Sequence, residues 1–368
     1  MKNIIKKERE SNIELLRIIS MCLIIFHHFS LNLCITEGYV ISKRMIFGII
    51  GGLGGKIGVA CYILTTGYFG VKKNFNSRRV FKLWLQTFCY SVGFMLIFRI
   101  TKIEKLDLIG TIKTFFPFAY NQYWFITAYL YLMILTPFIN KLLNTLSPKD
   151  YKKMVCVLTI FLVIIPTLFY TNGMIGSTLT PIGVILFIYL YIVGGYIKLY
   201  EIKYFENKKV KNIVKIVLGY VILTGLVLLG KKMEQYDAFW NKIFEYYREV
   251  NSIFILIPSI SLFYIFKELK LGCNKIINYL ASISLGVYLF HESNFMRYRL
   301  WQEIITVEKI ESVPGNFVTA LVGSIVAFYA ITAVIEFVRI NFVERFVMKS
   351  RILNKCLDKV DRYMTINI

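Results

Sequence analysis

Six ionisable residues in two apolar runs carry the spacing that could do chemistry. Glu14, Arg17, His27 and His28 fall within the first run, and His291 closes a later one with Glu292 beside it. Arg17 and His28 are eleven residues apart in the sequence. At 3.6 residues per turn they share one helix face about 16 Å apart. Glu14 lies one turn before Arg17 and can pair with it. A neutral imidazole is a natural general base near pH 7, and a guanidinium can steady a developing oxyanion. The competing readings are an Arg17–Glu14 pair that only fixes helix packing and a His28 that is only a satisfied core residue. His27 points about 100° away from His28 and reads as structural. A metal centre is the other rival, but no third ligand follows at a recognisable spacing, so none is expected.

Further residues stand where a second substrate could be held. His291 and Glu292 could orient it or relay protons with His28, or simply form a helix-end pair. Tyr123 and Trp124 open another run, where aromatic residues either anchor at an interface or stack on a ring. Glu336 is the only acid deep in the last run and needs a partner.

The runs that carry these residues dominate the chain. Of 368 residues, 57% are hydrophobic, against roughly 45–50% in soluble chains, and the mean hydropathy is +0.59. The fold expected is all-α: a polytopic membrane bundle of about ten transmembrane helices. The runs lie near 12–33, 46–70, 80–99, 122–140, 153–170, 180–199, 212–230, 251–266, 276–292 and 317–339. They leave room for one membrane domain over 1–368 and no fused soluble domain. The charged N-terminus precedes a run too long for a cleavable signal and reads as retained. The Gly-rich stretch GIIGGLGGKIG implies close helix packing or a broken start, and its Lys56 must avoid lipid. Segments 100–121 and 293–316 are long enough for short interfacial helices.

The net charge of +22 does not point to nucleic acid. Lys and Arg are scattered through short loops rather than gathered on one module. With the N-terminus inside, basic residues on the cytoplasmic side outnumber those outside about two to one, which places both termini in the cytoplasm. Lys72 and Lys73 read as membrane-surface anchors. The seven cysteines show no zinc or redox spacing.

The ordered segments resemble the acyltransferase-3 family of integral membrane acyltransferases. ESNIELLRIISMCLIIFHH is similar to that family's opening helix, with Arg17, ten residues, then His28. GKIGVACYILTTGYF resembles its segment ending in Ser-Gly-Tyr, with Thr66 in place of the Ser before Gly67 and Tyr68. SRRVFKLW resembles its basic cytoplasmic loop. YWFITAYLYLMILTPFI resembles its Trp-Phe span ending in Pro, with Trp124, Phe125 and Pro137. ISLGVYLFHE resembles the late Ser…Gly-x-Tyr-Leu-x-His segment, with Ser284, Gly286, Tyr288 and His291.

The resemblance implies acyl transfer, usually of acetyl, from acetyl-CoA or another acyl-CoA to a hydroxyl of a surface or lipid-linked glycan. No tightly bound cofactor is implied. His28 would be the base or a covalent acyl carrier, Arg17 with Glu14 its helper, and Arg78 and Arg79 the holders of donor phosphates. Many members carry an extra domain that passes the acyl group on; here a separate acyl-accepting partner or direct transfer is expected. The setting implied is a bacterial cell membrane, in keeping with a composition rich in Lys, Ile, Asn and Tyr. Two rivals share the many helices and buried charge: a transporter or exporter of an amino acid or acylated glycan, and a glycan polymerase or flippase. A transporter consumes no thioester.

Overall fold

A computed structural model describes residues 11–34, 42–103, 107–169, 182–311 and 316–365. The charged segment 1–10 and the edges of two expected spans, at 170 and 180–181, lie outside the described residues. No strand occurs among the described residues. The helices that matter here are α1 (Ser11–Leu33), α2 (Lys43–Gly70), α3 (Ser77–Ile100), α4 (Leu108–Phe115), α5 (Trp124–Thr145), α6 (Pro148–Phe169) and α7 (Ile182–Tyr200). They continue as α8 (Lys209–Met233), α9 (Ala238–Tyr246), α10 (Ile253–Lys267), α11 (Lys275–His291), α12 (Asn316–Met348) and α13 (Arg351–Met364).

Each of the ten expected spans is helical. Eight of the helices are long and apolar enough to cross a bilayer, while α10 and α11 have only 15 and 17 residues. Those two lie at or just below the lower end of spanning lengths, so among the described residues eight of the ten expected spans are matched by helices of clear spanning length. Local signals set their starts. Asn76 accepts from the Arg79 N–H to begin α3, and Ser147 accepts from the Asp150 N–H just before Pro148 to begin α6. Short helices fill the connections, α4 before α5 and further turns at Asn294–Tyr298 and Val307–Glu311.

Position in the bundle follows the burial of each span. In α2, 78% of the apolar window is buried; in α8 only 17% is, leaving its apolar side chains to lipid. The Gly-rich start of α2 is an unbroken helix packed closely on α1. A Cβ at Gly58 would sit 2.5 Å from the Ser20 carbonyl oxygen, and one at Gly55 would sit 2.2 Å from the His27 Cβ. On its other side α2 crosses α7 with reciprocal glycines. A Cβ at Gly67 would come within 2.1 Å of the Tyr191 carbonyl oxygen, and one at Gly194 within 2.2 Å of the Leu64 carbonyl oxygen. Small residues let two backbones touch where lipid supplies no hydrophobic drive.

The Gly67→Leu variant is therefore expected to lower the thermal midpoint in detergent, at a cost of about 1–3 kcal/mol or more. Gly93→Leu, at a site with nothing within 4 Å, should leave the midpoint nearly unchanged. Equal midpoints for the two variants would refute the close crossing.

Candidate functional site

α1 carries the two groups singled out by spacing, and each faces its own cavity. Near the start of α1, Arg17 lines a cavity of about 170 Å³ with Thr66, Lys73, Arg79, Tyr129 and Asn140. Near its end, His28 lines one of about 430 Å³ with Lys56, Tyr62, Trp124, Tyr288 and Glu292. The second volume falls within the range of small-molecule sites. Aromatic rings stand between the two. Phe125 stacks on Tyr129 at 5.9 Å, and Tyr62 meets both rings edge-on. Beyond the His28 cavity a vestibule of about 440 Å³ shares Trp124, Tyr288, Glu292 and Arg297, and adds Lys113 and Tyr120.

The Arg17 end is built by a fixed corner between α2 and α3. Asn140 Nδ2 donates to the Gly70 and Lys73 carbonyls, at 2.9 and 3.0 Å, and Asn144 Nδ2 donates to the Val71 carbonyl at 2.8 Å. The Tyr191 hydroxyl donates to Asn140 Oδ1 at 2.8 Å and holds that amide in place. Arg17 pairs with buried Glu14 at 2.9 Å, as the spacing predicted, and its guanidinium also lies 5.8 Å over the Phe69 ring. One carboxylate leaves guanidinium donors to spare, so structural pairing and cavity duty coexist.

Of the expected donor-binding arginines, Arg79 lines this cavity. Arg78 turns away, reaching Asp358 at 2.7 Å and Asp361 at 3.4 Å in α13. Lys73, read from sequence as a surface anchor, lines the cavity too.

The His28 end is a hydrogen-bonded chain. His28 Nδ1 lies 2.9 Å from His291 Nε2, and His291 Nδ1 lies 2.6 Å from the Val287 carbonyl oxygen. A carbonyl only accepts, so His291 Nδ1 carries the proton, and in the neutral ring its Nε2 is an acceptor. His28 Nδ1 must then donate to it, which leaves the lone pair of neutral His28 on Nε2. Phe328 stacks flat on the His291 ring, 5.7 Å between centroids and 8° between planes, and holds its orientation. Glu292 Oε1 approaches His28 Nδ1 at 3.3 Å and makes no well-aligned hydrogen bond of its own, while Oε2 faces Arg297 at 3.8 Å.

Ligand atoms of His28, His291 and Glu292 come within 4.8 Å of one another. The third ligand that no spacing in α1 provides is thus supplied from a distant helix. A 2.9 Å nitrogen–nitrogen contact is a hydrogen-bond length, and the chain from Val287 onward is satisfied without a cation. His27 bonds the Gly52 carbonyl oxygen of α2 at 2.8 Å, and it also lines the His28 cavity.

The remaining candidates separate. Trp124 lines both the His28 cavity and the vestibule, whereas Tyr123 is buried against Tyr288 and lines neither. Glu336 also lines none of the cavities described. Its Oε2 accepts from Arg339 Nη2 and Nε at 2.8 and 3.1 Å, and its Oε1 accepts from Gln86 Nε2 at 3.0 Å. Its partner is found, and it ties α12 to α3. Tyr288 stands in the sequence only as part of the Ser…Gly-x-Tyr-Leu-x-His resemblance, and nothing there singles out Arg297, Lys113 or Arg339. Lys56 was flagged only as a charge that must avoid lipid; it pairs with Glu249 at 3.0 Å at the edge of the His28 cavity.

A family model described as an acyltransferase domain matches residues 10–336. No curated protein and no solved structure matches the chain.

Proposed function

The chain belongs to the acyltransferase-3 family, and from that premise we propose that it moves an acyl group, acetyl foremost, from acyl-CoA to a hydroxyl of a surface or lipid-linked glycan. Family and apolar helices together make it a multi-pass membrane acyltransferase. The observation that carries the finer reading is the His28 chain, which puts a basic Nε2 on an imidazole that lines a roomy cavity.

In this reading the acceptor hydroxyl oxygen attacks the thioester carbonyl while His28 Nε2 takes its proton. The tetrahedral intermediate then collapses, the C–S bond breaks, and the imidazolium returns the proton to the departing thiolate. The products are an ester and free coenzyme A thiol, with His28 restored. His291 positions His28 rather than touching substrate. The positive charge that His28 gains is met by buried Glu292, whose Oε1 has acceptor capacity to spare. Arg17, Lys73 and Arg79 suit donor phosphates, on the side whose loops carry the positive charge. Trp124 and Tyr288 offer ring faces to a sugar at the far end. The donor's thioester, still bonded to sulfur, would reach from the Arg17 cavity to His28 past the Tyr62–Phe125–Tyr129 rings.

The test uses membrane vesicles holding the chain, acetyl-labelled acetyl-CoA, and separate recovery of glycan and lipid-linked fractions. Label is expected in one of them. Arg79→Gln should raise the donor KM several-fold with kcat little changed, as loss of uniform binding does. No transfer from any of several acyl-CoA donors would turn the reading toward transport. A normal donor KM in Arg79→Gln would remove Arg79 from the donor site.

A further inference from the structure

Twelve of the 14 residues of helix α13 fall on three stripes, each at i, i+4, i+8, i+11 spacing, and Asn354 and Asp358 lie between the basic and the protein-facing stripes. Leu353, Leu357, Asp361 and Met364 form the one turned toward the protein. Ile352, Cys356, Val360 and Tyr363 form an exposed apolar stripe, Ile352 at 78% and Tyr363 at 87% exposure. Arg351, Lys355, Lys359 and Arg362 form an exposed stripe that is wholly basic.

Docking fixes which way these stripes point. The Ser77 N–H donates to Asp361 Oδ1 at 2.6 Å, the Ser77 hydroxyl donates to the Leu357 carbonyl at 3.0 Å, and Arg78 bonds Asp358. The helix therefore cannot roll to hide its apolar stripe against α3. Only Lys349 and Ser350 separate it from α12, a helix long and apolar enough to span. It thus sits where a crossing ends, and hydrocarbon gives way to headgroups over the width of one helix.

We propose that α13 is an interfacial helix that binds the anionic headgroups of the adjoining leaflet, its apolar stripe seated at the acyl boundary and its basic stripe on the lipid phosphates. An apolar stripe bordered by Lys and Arg is the pattern of helices that lie in the membrane plane, and each basic residue adds to the attraction of an anionic surface. The one acid bordering the four cations, Asp358, is already taken by Arg78, so an apolar protein partner would leave them without counter-charge and an anionic lipid surface is favoured. The inference does not depend on acyl transfer.

The experiment is amide hydrogen exchange of residues 351–364 in the full chain, held in nanodiscs of phosphatidylcholine with and without phosphatidylglycerol. Exchange is expected to be about tenfold slower in the anionic discs. The triple variant Lys355→Gln, Lys359→Gln, Arg362→Gln should abolish that difference while α3 keeps its own protection, since Asp358 and Asp361 are untouched. Ile352→Ser with Tyr363→Ser should speed exchange in both compositions. Equal rates in the two lipids, or a difference that survives the triple variant, would overturn the proposal.

Discussion

Acyl transfer by the His28→Ala variant is expected to fall by about 10²–10⁴-fold, the usual contribution of a positioned general base, with the chain still folded. The imidazole lines a cavity, so its loss trims a cavity wall and leaves His291 Nε2 without its donor, a modest stability cost of about 1–3 kcal/mol. His291→Gln separates positioning from catalysis. Glutamine can still accept from His28 Nδ1 but lacks the flat stacking on Phe328, so kcat should fall less than in His28→Ala while the donor KM holds. A chelator applied to the wild type decides the remaining rival. Unchanged activity is the outcome a hydrogen-bonded base requires. Activity lost on chelation and restored by Zn²⁺ would make His28, His291 and Glu292 a ligand set. Transfer that survives His28→Ala would keep the family and remove the base.

What the sequence could reveal of this site was what one helix holds. Glu14, Arg17 and His28 lie on a single α-helix, whose repeat of 3.6 residues per turn is the same in every protein, and their pairing and common face followed from it. The chain from His28 to His291 joins residues 263 apart in sequence, and no periodicity carries that information. The same holds for Arg78. Its basic loop read equally as a donor site or a topology signal, and only the docking of α13 shows the guanidinium committed to Asp358 and Asp361. Lys73 went the other way, from anchor to cavity wall, because Asn140 and Asn144 fold the α2–α3 corner inward. The Gly-rich start of α2 left close packing and a broken helix both open, and a neighbouring helix had to be present to choose between them. The apolar helices were legible as hydropathy, down to the short runs at 251–266 and 276–292 that form α10 and α11.

Glu336→Ala is expected to destabilise the chain by up to about 3–5 kcal/mol, the cost of stripping a partner from a buried charge. Glu336 is 2% exposed and Arg339 7%. The two pair one α-helical turn apart, and the wide π-helical turn that follows, Arg339–Glu344, brings Arg339 Nη1 to Glu344 at 2.7 Å, while Lys82 reaches Glu344 at 2.8 Å. Removing Glu336 leaves Arg339 with one carboxylate already shared with Lys82. Replacing both partners, Glu336→Leu with Arg339→Met, should recover most of the loss, because a buried pair replaced by apolar groups of similar size is often neutral. The recovery stays incomplete, since Gln86 Nε2 then loses its acceptor. Thermal midpoints in detergent give the stability, and kcat/KM per folded molecule gives the function. A double variant that is stable and fully active confines Glu336 to holding α12 on α3. One that is stable yet raises the acceptor KM would return Glu336 to the substrate-binding role first read from the sequence, and would require the acceptor to reach past the cavities that His28 and Trp124 line.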